Sequence, residues 1–73
     1  MMMYEAKYMV GLDSTGEPVY RREVLADDIL IECVAESEAE VWQYFVSRAI
    51  AKAAELRKVN SYCEFVGLEC VAS

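Results

Sequence analysis

The sequence predicts an α+β domain of order β-β-β-α-β: three strands in an antiparallel meander, one long helix packed on one face, and a final strand. Three observations carry this. Residues Tyr4 to Val10 alternate, with Tyr4, Ala6, Tyr8 and Val10 on one side and Glu5 and Lys7 on the other, the period of a strand with one dry face. Ser37 followed by Glu40 forms a capping box, and no Gly or Pro interrupts the chain from there to Lys58, which marks a long helix. Tyr62 to Val71 then reads as the final strand after a break at Asn60-Ser61.

The elements follow in order. Asp13 to Pro18 is a turn by composition, since Asp and Ser bond their own backbone and Gly16 supplies a positive φ. Val19 to Leu25 forms the second strand. Asp27-Asp28 makes a short turn, and the apolar run Ile29 to Val34, broken only by Glu32, forms the third. On the helix, Trp42, Phe45, Val46, Ala49, Ala53 and Leu56 fall within roughly 80° of one another and form a core-facing stripe. Tyr44 lies about 200° from Trp42 at 100° per residue and is expected to point to solvent. With three strands before the helix, the last strand runs parallel to the first and third and joins an edge through a right-handed crossover.

Composition narrows the function. A chain of 73 residues holds a single small domain, residues 1–73. It has no His, so the usual proton shuttle near neutral pH is missing. Cys33, Cys63 and Cys70 read as reduced structural thiols: in an extended strand Cys63 and Cys70 lie roughly 23 Å apart, too far to bridge. No Cys-x-x-Cys pair, calcium-loop spacing or clustered glycine appears. The expectation is a protein that is not an enzyme, with no catalytic, metal or cofactor site. No stretch approaches the roughly 18 apolar residues of a membrane span, and the N-terminus lacks the basic and apolar regions of a signal peptide. A cytoplasmic location is therefore expected.

Charge points to a partner. The chain carries 13 Asp+Glu against 7 Lys+Arg, net −6, which disfavours direct nucleic-acid binding. The stretch 23–40 holds Glu23, Asp27, Asp28, Glu32, Glu36, Glu38 and Glu40 and no cation, while Arg48, Lys52, Arg57 and Lys58 suit the negative end of the helix dipole. An unbalanced acidic run steers basic partners and can imitate a phosphate track. The candidate partner-binding residues are Glu23, Asp27, Asp28, Glu32 and Glu36, with Tyr44 as an aromatic anchor. In kind, a small acidic chain of this sort resembles the phage or mobile-element proteins that inhibit a host nucleic-acid-handling machine by occupying its basic surface.

A second expectation concerns self-association. Counted with Gly and without Tyr, about 53% of the chain is apolar, against a norm of roughly 45–50%. One helix covers one face of the sheet, so a second apolar face would be left open. Met3, Met9, Leu30, Val34, Phe65 and Val71 are the candidates for a face that two copies bury as a homodimer. The alternative function is accordingly a homo-oligomeric structural or small-ligand-sequestering module.

Overall fold

A computed structural model describes residues 2–26 and 30–72, for Glu32 the backbone only. The α+β class holds, with the order β1 (Met3–Leu12), β2 (Pro18–Ala26), α1 (Ile31–Val34), α2 (Glu38–Leu56) and β3 (Glu64–Ala72). The three strands form one sheet of order β2-β1-β3, with β1 antiparallel to both neighbours.

The first hairpin forms where the turn residues place it. The Asp13 carboxylate accepts hydrogen bonds from the Thr15 N–H at 2.8 Å, the Thr15 hydroxyl at 2.6 Å and the Glu17 N–H at 3.1 Å. These bonds, the Thr15 hydroxyl first, hold the Asp13 carboxyl below its ordinary range. Gly16 takes φ 87°, a conformation that costs a side chain dearly and glycine nothing.

The third strand is the main correction. Residues Ile31–Val34 form a single helical turn, entered through Leu30 in the left-handed region at φ 54° and closed by the Ala35 N–H donating to the Ile31 carbonyl at 2.8 Å. A short apolar run fits a strand and a buried helical turn equally well by periodicity alone. Here the run lies between the end of β2 and the start of α2, and tertiary context overrides its β-branched composition. The part of this predicted strand at Ile29, and the predicted turn at Asp27-Asp28, lie outside the described residues.

Losing one strand reverses the direction of the last. β3 does join an edge, but it runs antiparallel to β1 and so parallel to β2, with β1 between them. The long connection through α2 therefore crosses over β1.

Helix α2 starts as predicted. The Ser37 hydroxyl caps it by accepting from the Glu40 N–H at 3.2 Å, while the Glu40 carboxylate accepts from the N–H of Glu36, one residue upstream of the reciprocal bond the capping box usually makes. It ends at Leu56, two residues before Lys58, where the Asn60 backbone and side-chain N–H groups both donate to the Leu56 carbonyl. The cations of its second half do not chiefly serve the helix dipole. Arg48 donates to the Ala26 carbonyl of β2, the Lys52 ammonium lies 3.8 Å from the Glu23 carboxylate, and Arg57 donates to the Cys63 carbonyl at 3.0 Å.

The core sits between α2 and one face of the sheet: Tyr4, Ala6 and Tyr8 of β1, Leu25 of β2, Cys63, and Val41, Phe45, Ala49, Ala53 and Leu56 of α2. The helix is thus turned from the predicted stripe towards Val41, leaving Val46 half-buried and Trp42 on the flank. Small side chains at Ala49 and Ala53 let the helix come down on β1, close enough for the Tyr8 hydroxyl to donate to the Ala49 carbonyl at 2.6 Å.

Candidate binding cleft

Register assigns every strand residue to a face. With Tyr4, Ala6 and Tyr8 turned to the helix, their partners Leu25, Glu23 and Arg21 on β2 and Cys70, Leu68 and Phe65 on β3 share that side. The open side carries Met3, Glu5, Lys7 and Met9, with Tyr20, Arg22 and Val24 on β2 and Gly67 and Glu69 on β3. Its middle is charged and internally paired: Arg22 lies 3.6 Å from Glu5 and the Lys7 ammonium 4.0 Å from the Tyr20 ring centre. The expected apolar face is therefore not assembled. Met3 and Met9 are on the open side, Phe65 packs on the helix side, Val71 sits at a register shift of β3, and Leu30 and Val34 belong to α1 and its entry.

The acidic run is also divided by the fold. Glu23 faces the helix side, 3.3 Å from Arg21 just before the run and 3.8 Å from Lys52 on α2, so it is balanced by one neighbour in sequence and one brought by the tertiary structure. Asp27 and Asp28 lie outside the described residues, and Glu32 contributes backbone to α1. Tyr44, expected in solvent, is half-buried, with its ring edge-on to Phe45 at 5.1 Å and 5.7 Å from the Arg48 guanidinium. An aromatic ring at the margin of an apolar stripe gains more by folding back on the core than by standing in water.

What remains of the run comes together at the N-terminal end of α2. An open cleft of about 730 Å³ is floored by Met2, Tyr4, Val41 and Trp42 and rimmed by Glu36, Ser37 and Glu38, with no Lys or Arg among its lining residues. Trp42 is 43% exposed and meets Tyr4 edge-to-face at 6.0 Å; Tyr4 in turn stacks on the buried Phe45 at 4.3 Å. The indole is thereby fixed from beneath while part of its surface stays free. Burial pushes the Tyr4 phenol above its ordinary value, and Cys70 and Glu38 nearby act in the same direction, so the phenol remains a neutral donor. Such a site can stack a planar or cationic group on an aromatic ring and balance its charge with carboxylates.

Sequence reasoning missed Trp42 by assigning it to the core stripe. Its position four residues after Glu38 was the available signal, because i and i+4 share a helix face. Among the described residues no three side chains of metal-ligating type converge, and no helix is long and apolar enough to cross a membrane. Compared with family models, curated proteins and solved structures, the chain matches none.

Proposed function

We propose that this protein is an acidic binding protein that occupies a basic surface of another protein and performs no chemistry of its own. One observation supports the reading: an exposed tryptophan, braced by Tyr4, shares a cleft with Glu36 and Glu38 and with no cation. A Lys or Arg side chain entering the cleft stacks on Trp42 and pairs with the rim carboxylates, while the net charge of −6 speeds the approach. Exposed Lys and Arg of this kind are what nucleic-acid-binding surfaces present, so inhibition of a nucleic-acid-handling protein, of the sort phages and mobile elements direct at their hosts, is the use this chemistry fits.

Trp42 is the only tryptophan of the chain, so at a fixed protein concentration its fluorescence follows occupation of the cleft it lines. Titration with an Arg-rich peptide is expected to change the emission saturably, with affinity falling as salt rises. The paired substitutions Glu36→Gln and Glu38→Gln should weaken binding several-fold, and a Glu-for-Arg peptide should not bind. Emission unchanged up to millimolar Arg-rich peptide would overturn the reading.

A further inference from the structure

The two flanks of α2 are finished differently. Towards β2 the flank is closed by polar contacts, with Arg48 on the Ala26 carbonyl and Lys52 on Glu23. On the helical wheel Trp42, Val46 and Ile50 lie on the opposite flank, and with strand order β2-β1-β3 that flank lies towards β3. They follow one another at i, i+4 and i+8 and make an uncharged ridge, in which Ile50 is 55% exposed and Val46 half-buried. Beside it β3 is an edge strand carrying Val66, 48% exposed, and Val71, 49% exposed. The two edges of the sheet also differ. β2 starts at Pro18 and carries Arg21 and Arg22, the Pro and basic residues that keep an edge from pairing. β3 runs from Glu64 to Ala72 with no Pro, Lys or Arg; its charges are Glu64 and Glu69, and it shifts register against β1 at Val66 and Val71. Helix and sheet are both one strand short on the same side.

We propose that the β3 edge and the Trp42–Val46–Ile50 ridge form the interface of a homodimer, in which the β3 strands of two copies pair antiparallel into one six-stranded sheet. A second copy fits better than a foreign strand because it brings its own ridge. Trp42 and Ile50 lie four residues to either side of Val46, so a two-fold axis passing near Val46 sets each Trp42 against the partner's Ile50. Val46 is next to the middle of α2 as Leu68 is the middle of β3, so one axis serves both layers. Strands about 4.8 Å apart put helices above the β1–β3 half of each sheet about 10 to 14 Å from one another, a range that starts at direct helix contact and ends at a gap these side chains fill. An added peptide strand would satisfy the backbone of β3 and leave Ile50 bare.

The proposal shares Trp42 with the cleft but rests on the β3 edge and Ile50, which the cleft does not use, and salt separates it from the binding of basic partners. Each copy carries −6, so added salt relieves repulsion and tightens the dimer, whereas it weakens attachment to a basic peptide. Sedimentation equilibrium of the full chain from about 1 to 100 μM decides the matter. The expected result is a mass rising to twice the 8.3 kDa of the chain, tighter at high salt, with Ile50→Lys and Val66→Lys each weakening association at least tenfold and Val24→Lys, on the open sheet side, leaving it unchanged. Ile50, Val66 and Val24 are all exposed, so the variants keep the fold, which circular dichroism checks. A mass of 8.3 kDa throughout overturns the proposal. So does a dimer that Val24→Lys disrupts and Ile50→Lys does not, or concentration-dependent amide protection appearing in β2 and not in β3.

Discussion

A phenol without solvent contact has to find an acceptor, and Tyr8 finds one in the middle of α2, at Ala49, where small residues leave room for it. Burial pushes its pKa up to about 12, with Cys63 and Glu23 adding to the effect. The unfolded chain ionises Tyr8 near 10, so between about pH 10 and 12 the unfolded state holds fewer protons and stability falls as pH rises. Tyr8→Phe should reduce that slope without abolishing it, since Tyr4 is raised as well, and should cost about 0.5–1.5 kcal/mol at neutral pH; urea titrations at pH 7, 10 and 11 measure both effects. Asp13 works in the other direction. Its carboxyl is held low by the turn it organises, so its contribution is present above the unfolded value and lost as pH falls through the folded one. Asp13→Ala should loosen the hairpin at neutral pH and flatten the acid limb, seen as faster amide exchange at Thr15 and Glu17.

At the scale of elements, the helix cap offers a clean test. Ser37→Ala removes the acceptor for the Glu40 N–H and should lower stability by about 1 kcal/mol, with no change in the shape of the β1–β2 hairpin by NMR. The helix was readable because capping, length and stripe all agreed. Leu30 to Val34 was not, because four or five apolar residues carry too little periodicity to choose between strand and helical turn, and the deciding fact is where β2 ends in space. The acidic run misled for the same reason: charge balance along the chain says nothing of Lys52 reaching Glu23 from a helix 29 residues away in sequence. Trp42 fell one position off the stripe because a helix can rotate by a fraction of a turn without altering its pattern, and that rotation is what opens the cleft.

At the scale of the whole molecule, one apolar layer holds everything together. Phe45 touches Tyr4 and Tyr44 and is fully buried. Phe45→Ala should cost about 3–5 kcal/mol, a large share of the roughly 5–15 kcal/mol available to a domain. Thermal denaturation is expected to show a melting point lowered by at least about 12 °C, and a melting point unchanged from wild type would mean that the layer is organised around another residue. The exposed Ile50→Lys, by contrast, should leave the melting point of a dilute sample where it was.

The position of β1 at the centre of the sheet orders events in time. Met9 pairs with Tyr20 across 11 residues and with Glu64 across 55. By loop-closure entropy the second pairing starts about 1.4 kcal/mol behind the first, and it must also wait for α2 to be in place. The β1–β2 hairpin therefore assembles early and β3 zips on last. Read backwards, β3 is the strand that peels away first under stress, baring the other edge of β1. A temperature-jump experiment with separate labels on the hairpin and on β3 should resolve two relaxations, the faster one in the hairpin, and the faster rate should survive mutations in β3 that slow the other.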